Sequence, residues 1–229
     1  MDSSVQAILI AAGKSERMKK NKLFLKLLDK PVIYYSIKPF ELQANIKEIV
    51  LVTRPENRKK LESLIQKYNF KKIKKITEGG KTRQDSVYEG LKTLDKVSEV
   101  LIHNAANPLV TKKEIADVLK ATKKYGAAAI GYPAKDTIKR TNSKNFVTET
   151  LARKKLWQMQ TPQGMKYDIA VHAFEQAYKD GFTGTDDVSL AERIGYKVKL
   201  IEGSRENIKI TYPEDLKLAE LILKARNET

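Results

Sequence analysis

At 229 residues the chain has the length for one substantial domain with a full core and at most a small appendage, and two independent domains would be cramped. Its 44 Lys plus Arg against 28 Asp plus Glu give a net charge of +16, but the lysines are dispersed, with local clusters only at Lys19-Lys20-Lys22 and Lys71-Lys72-Lys74-Lys75; that is the distribution of a solvated surface or of small anionic ligands, and argues against a nucleic-acid footprint. The absence of cysteine excludes disulfides and thiolate metal sites, and the two histidines, His103 and His172, cannot build a zinc site between them.

The N-terminus has no basic segment followed by an apolar one, and no apolar run approaches the roughly 18 residues of a membrane span, so the chain reads as a soluble, cytoplasmic protein. In chain order, "VQAILIAA", "KEIVLVT", "IKKITEG", "SEVLIHNA" and "AAAIGYPA" have the composition of strands. Between them, Pro31 to Phe40, Glu56 to Tyr68, Thr82 to Leu94 and Lys112 to Tyr125 carry helical spacing. This alternation predicts βαβ units, hence a three-layer α/β/α domain with a mostly parallel sheet that gathers ligands at the carboxyl ends of its strands. From Asp136 to Trp157 the pattern lapses into "DTIKRTNSKNFVTETLARKKLW", a two-stranded arm around Asn142 to Asn145 that is marginal alone and calls for a second chain to pack on. A helix from Tyr167 to Asp180, a short helix after Asp186-Asp187, a strand "KVKLIEG" and a helix opening at Pro213 complete one domain over 1–229.

Five stretches carry candidate chemistry. "AILIAAGKSERM" contains Gly13-Lys14-Ser15, the tail of a Walker loop, but that loop needs glycine five residues earlier, where Ile8 stands. Gly13 also lacks the glycine partners of a dinucleotide fingerprint. What remains is a strand, the small residues Ala11-Ala12-Gly13 that let backbone N–H groups approach an anion, and Arg17 to fork onto phosphate oxygens; an ordinary strand-to-loop turn accounts for the pattern as well. In "EGGKTRQDSVYEGL", Gly79-Gly80 opens a helix whose N-terminus favours an anion, with Arg83 and Ser86 three apart on one face; a glycine turn with a capping threonine is the plainer reading. "IHNAANP" and "LWQMQTPQ" follow. In "EGSRENIKIT", Lys209 stands between isoleucines, as a lysine in an apolar strand that either faces an anion or lies on an edge facing water. Trp157 is assigned to packing.

Taken in order and spacing, "AAGKSERM", "GGKTRQDSV", "DTIKR", "R-x-x-LWQMQTPQ", "GTDD" and "ENIKIT-x-PEDL" resemble the 2-C-methyl-D-erythritol 4-phosphate cytidylyltransferase family over nearly the whole chain; the ribitol 5-phosphate cytidylyltransferases share much of the pattern. The resemblance implies a homodimeric enzyme that joins CTP to a sugar-alcohol phosphate with Mg²⁺, most closely 2-C-methyl-D-erythritol 4-phosphate in isoprenoid precursor synthesis, with ribitol 5-phosphate as the alternative acceptor. It implies that Ala11, Ala12 and Gly13 carry the triphosphate, that Gly79, Gly80 and Ser86 recognise cytosine beside Arg83, and that Arg17, Lys22 and Lys209 supply catalytic charge, leaving Lys14 and Ser15 incidental. Thr137 and Arg153 correspond to arm residues that grip the acceptor's phosphate in the partner subunit, and Thr161 and Thr185 to the polyol pocket.

The chain departs from the family at four positions. Asn21 replaces a proline before Lys22, an exchange expected to loosen the loop. Asn104 and Asn107 replace an aspartate and an arginine. The metal is then expected on Asn104, which keeps an oxygen for Mg²⁺ or a ribose hydroxyl but no charge, and on Glu206, one methylene longer than the usual aspartate. A catalytically degenerate nucleotide-binding homologue is the competing reading.

Overall fold

The computed structural model describes residues 4–227 apart from Lys19 and Lys96, so Lys19 of the first lysine cluster lies outside the described residues. Eleven strands and seven α-helices occur among them. They run β1 (Val5–Ala11), β2 (Lys26–Leu27), β3 (Lys30–Pro31), α1 (Val32–Glu41), β4 (Ile46–Thr53), α2 (Arg58–Tyr68), β5 (Ile73–Glu78), α3 (Arg83–Lys92) and β6 (Glu99–Asn104). After these come α4 (Lys112–Tyr125), β7 (Ala127–Pro133), β8 (Lys139–Thr141), β9 (Val147–Thr150), β10 (Trp157–Lys166), α5 (Tyr167–Lys179), α6 (Val188–Arg193), β11 (Lys199–Glu202) and α7 (Pro213–Asn227). The central sheet has seven strands in the order β11-β7-β10-β6-β1-β4-β5.

All neighbouring pairs in that sheet are parallel except those of β10, which runs antiparallel between β7 and β6. The two-residue side-chain period of a strand fills both faces. Along β1, Ala7, Leu9 and Ala11 point into one core and Ile8 into the other; on β4, Ile49 and Leu51 are set against Val50 and Val52. The first core takes Ile33, Ile37 and Phe40 of α1, Leu61 of α2 and Val118 of α4, while the second takes Val87 of α3, Phe174 of α5 and Leu190 of α6. Helices thus cover both faces, giving the expected three layers. A third cluster joins Leu27, Val32, Leu109 and Ile210 to Ala219 of α7.

The expected strands and helices stand within a few residues of their predicted places, and the arm exists as the separate β8–β9 pair, with Phe146 68% and Val147 58% exposed. The strand that composition does not announce is β10. "WQMQTPQGMK" holds three glutamines, a proline and a glycine, and its pairing with β7 breaks between Met159 and Gln163, where Pro162 sits. Lys209 is not in a strand: the segment around it is extended without ladder pairing, tied by Ile210 N–H to Ala106 O (2.8 Å), so its exposure to the cleft rests on the loop's path. No described helix is long and apolar enough to cross a membrane.

Candidate active site

Because β1, β4, β5 and β6 are parallel, their carboxyl ends converge on one edge, and there the surface sinks into a two-lobed cleft. The first lobe, about 810 Å³, is lined by Ala11, Ala12, Gly13, Arg17, Lys22, Gly79, Gly80, Arg83, Ser86, Asn104 and Lys209, which gathers every residue the sequence assigned to the nucleotide or to catalytic charge. The second, about 460 Å³, contains Thr161 and Thr185 and shares only Arg83, Asn104 and Lys209 with the first. These three form the wall between the lobes.

The glycines have different reasons to be there. A Cβ on Gly79 would lie 2.5 Å from the Ala12 Cβ and 2.8 Å from Ser86 Oγ, so glycine lets the end of β5 close against the first loop; a Cβ on Gly13 would meet nothing within 4 Å, which leaves that backbone open to the cleft. Ser86 Oγ donates to Thr82 O (2.9 Å), so toward a ligand it is an acceptor. Thr82 and Asp85 cap α3 reciprocally, fixing the helix end that faces the lobe.

Lys22 is held more firmly than the loss of proline suggested. Asn21 Oδ1 accepts from Leu23 N–H (3.3 Å), capping the short 3-10 turn Lys22–Phe24, while its Nδ2 donates to Asn57 Oδ1 (2.9 Å). Ser15, in the left-handed region at φ 58°, accepts from Lys22 N–H (3.4 Å) and so is not incidental. Burial first, then the charges of Lys209 and Arg17, lower the Lys22 pKa to about 8, and burial with Arg83 and Arg17 also lowers that of Lys209. Arg17 lies exposed at the lip, its guanidinium 5.3 Å from the Tyr212 ring.

The shared wall has a carboxylate that sequence reasoning passed over. Asp187, 1% exposed, receives Arg83 Nη1 and Nη2 at 2.7 and 2.6 Å, and Arg83 Nε donates to Asn104 Oδ1 (3.1 Å). Arg83 therefore stands between the lobes with its charge largely answered, although it was expected to serve the nucleotide alone. Its pKa is raised because Asp187 outweighs the cost of burial. Asp187 was visible within "GTDD", but only the fold shows that it meets α3. Behind the wall, buried His103 places Nε2 3.1 Å from Asn107 O and Nδ1 2.9 Å from Thr161 Oγ1, while Asn104 N–H donates to the same hydroxyl (3.2 Å). The carbonyl can only accept, so Nε2 carries the proton and Thr161 donates to Nδ1. Burial drives the His103 pKa down to about 3, keeping this relay neutral. Thr161 lines the second lobe, but its hydroxyl is already committed.

Three expected residues lie outside both lobes. Thr137 and Arg153 are exposed beside the arm, with Arg153 Nη1 on Lys135 O (2.9 Å). Glu206 is a correction: its carboxylate accepts from Arg226 Nε (2.9 Å) on α7 and does not line the cleft. The implied magnesium therefore finds a poor donor set. Asn104 Oδ1 receives Arg83, both Asp187 oxygens receive Arg83, Asp186 accepts from Gln163 and from Ser189 N–H, and Glu56 pairs with Arg54. No three His, Asp or Glu side chains among the described residues are grouped to hold a metal. Glu16, exposed at the lip of the first lobe, is the remaining lining carboxylate, and alone beside these engaged side chains it makes a poor fit to a resident Mg²⁺, which calls for one or two available carboxylates.

A three-layer sheet with an open backbone loop, a capped helix N-terminus and a cationic wall at its carboxyl edge defines a protein of the nucleotidyltransferase type. The profile of the 2-C-methyl-D-erythritol 4-phosphate cytidylyltransferases matches residues 5–225, and the chain belongs to that family. Relatives of that name from Caldanaerobacter subterraneus subsp. tengcongensis and Clostridioides difficile are each 48% identical, over 96% and 94% of this chain and 99% and 92% of theirs. Among solved structures, the 4-diphosphocytidyl-2C-methyl-D-erythritol synthase of Anaerococcus prevotii superposes with a TM-score of 0.88 at 28% identity, covering 98% of this chain and 100% of that one. The Francisella tularensis 2-C-methyl-D-erythritol 4-phosphate cytidylyltransferase gives 0.82 at 30% identity, covering 96% and 99%.

Proposed function

We propose that the chain transfers the cytidylyl group of CTP to the phosphate of 2-C-methyl-D-erythritol 4-phosphate, releasing pyrophosphate. The observation that carries this reading is the wall of Arg83, Asn104 and Lys209 common to two lobes, one large enough for a nucleotide and one for a smaller polar molecule. An acceptor phosphate oxygen attacks the α-phosphorus in line across that wall, the new P–O bond forms, and the bond to the β-phosphate oxygen breaks with its electron pair leaving on pyrophosphate. A phosphate monoester with its second pKa near ~6 is already mostly dianionic at neutral pH, so no general base is required. The demand is for positive charge between two anions. Lys209 meets it at the wall, where it has no ion-pair partner among the described residues, and Lys22 and Arg17 meet it along the triphosphate.

The arm extends this reading to a pair of chains. Thr137 and Arg153 belong to neither lobe of their own chain, and exposed Phe146 and Val147 supply apolar surface for a neighbour, so we assign them to the second lobe of a partner subunit. Mixing Arg153→Ala with Lys209→Ala chains tests this: paired subunits regain one competent site, and mixtures no more active than their components would remove the shared-site arrangement. The reaction itself is tested by pyrophosphate release from CTP with methylerythritol phosphate, with ribitol 5-phosphate in parallel. Intact CTP binding without turnover would leave a nucleotide-binding protein only, and turnover confined to ribitol 5-phosphate would change the acceptor.

A further inference from the structure

Between Gly203 and Lys209 the chain makes a turn that no element pairing requires, yet it is heavily pinned. Asn207 N–H closes it onto Ser204 O (3.1 Å), Gln160 Nε2 donates to both Ser204 O (2.8 Å) and Asn207 O (3.0 Å), and Ser204 N–H donates to Glu114 Oε1 (2.9 Å). Asn107, where the family has arginine, turns its Nδ2 to Asn207 O (3.4 Å) and so braces the same turn. Arg205 occupies the outer corner of this braced turn. Its guanidinium lies 5.8 Å from the Tyr132 ring centroid at the rim of the second lobe, which it lines together with Lys209. The adjacent carboxylate, Glu206, is drawn off to Arg226, and Arg205 has no ion-pair partner among the described residues. An aromatic-backed guanidinium on a rigid turn, with its counter-charge removed, is pre-organised for a phosphate.

We propose that Arg205 binds the phosphate of the acceptor within the same chain, adding positive charge at the rim of the second lobe. The inference rests on the proposed acceptor, and Arg205 acts as a specificity-determining residue of the second lobe. A neutral polyol would gain less from it, because the guanidinium's charge and fork act on an anion's paired oxygens.

The test is calorimetric binding of 2-C-methyl-D-erythritol 4-phosphate and of its dephosphorylated alcohol to wild type, Arg205→Ala and Arg205→Lys, with CTP affinity and turnover measured alongside. A charged hydrogen-bonding contact of this kind corresponds to a loss of about ten- to a hundredfold on truncation. The expected result is that loss for the phosphate in Arg205→Ala, an intermediate value in Arg205→Lys, no change for the alcohol, and unchanged CTP affinity as the check on folding. Equal phosphate affinity in Arg205→Ala, an equal loss for phosphate and alcohol, or no phosphate binding by wild type overturns the proposal. Wild-type binding of the acceptor without pyrophosphate release would instead overturn the reaction and leave the role of Arg205 standing.

Discussion

The first lobe of the cleft sets a backbone cradle, made of the ends of β1 and β5, Ala11 to Gly13, Gly79, Gly80 and one capped helix terminus, beside the cationic side chains of Arg17, Lys22 and Lys209. The second lobe is made of side chains collected from α3, the end of β6 and the loop after it, the end of β7, the middle of β10, Thr185 and Asp186, and the turn that carries Arg205, Asn207 and Lys209. A backbone cradle tolerates change in side chains, whereas a wall assembled from distant segments depends on each buried pair that fixes it. The lobes should therefore respond differently to substitution, and four perturbations probe that difference.

Lys209→Ala removes the cation of the shared wall. It is expected to lower kcat by about 10²- to 10³-fold while the backbone cradle still binds CTP. Stopped-flow or steady-state kinetics with parallel CTP titration check this, and a large loss of CTP affinity with kcat intact would place Lys209 in the first lobe alone.

Asp187→Ala strands Arg83 without its carboxylate. Loss of one partner of a fully buried pair costs about 3–5 kcal/mol, and because the Arg83 side chain keeps 31% of its surface the expected cost is lower, on the order of 2–3 kcal/mol. Urea unfolding reads it directly. An unchanged midpoint would mean that the wall does not depend on this pair.

The third perturbation is pH, and it acts on the first lobe. The Lys22 pKa of about 8 makes the ligand-free protein lose that charge as pH rises through 8, so kcat/KM for CTP should fall toward tenfold per pH unit above that point. The stability effect has the opposite sense. With the folded pKa below the unfolded value, the unfolded chain binds more protons between about 8 and 10.5, so this group's contribution to stability rises with pH across that window. Lys22→Met should accordingly raise the urea midpoint at pH 7 while weakening CTP; a midpoint that falls would show that Lys22 is stabilising where it stands.

The smallest effect is expected at Asn21. Asn21→Ala deletes the cap of the Lys22–Phe24 turn and the bond to Asn57, worth about 1 kcal/mol, or roughly fivefold in the population of the ordered loop. It should appear in the KM for CTP, leaving acceptor affinity unchanged. Asn21→Pro, the family's residue, should recover most of the loss by fixing φ.

Much of the architecture was legible because local chemistry dictated it. The apolar runs of β1 and β4, the capping threonine Thr82 and the turn residues of the arm all act over a few positions. β10 was not legible, since a strand buried between two others is stabilised by its neighbours' ladders rather than by its own glutamine-rich composition. Within the cleft, Ala11 to Gly13, Arg17, Gly79, Gly80 and Ser86 could be named from the strand ends they follow, and Lys22 only from the family resemblance. Glu206 was misassigned because nothing within the segment tells that Arg226, twenty residues later on α7, captures it.

By itself the sequence determined the α/β class, the edge of the sheet where the cleft opens, the family and the residues that line its first lobe, because all of these follow from periodicity, small-residue loops and collinear motifs. Only the tertiary structure decided that Asp187 answers Arg83, that His103 commits the Thr161 hydroxyl, that Asn57 steadies Asn21 and that Arg205 faces the second lobe freed of Glu206. Each of those is a contact between segments far apart in the chain, and a side chain's hydrogen-bond partner is fixed by the packing that brings the segments together, not by the residues beside it.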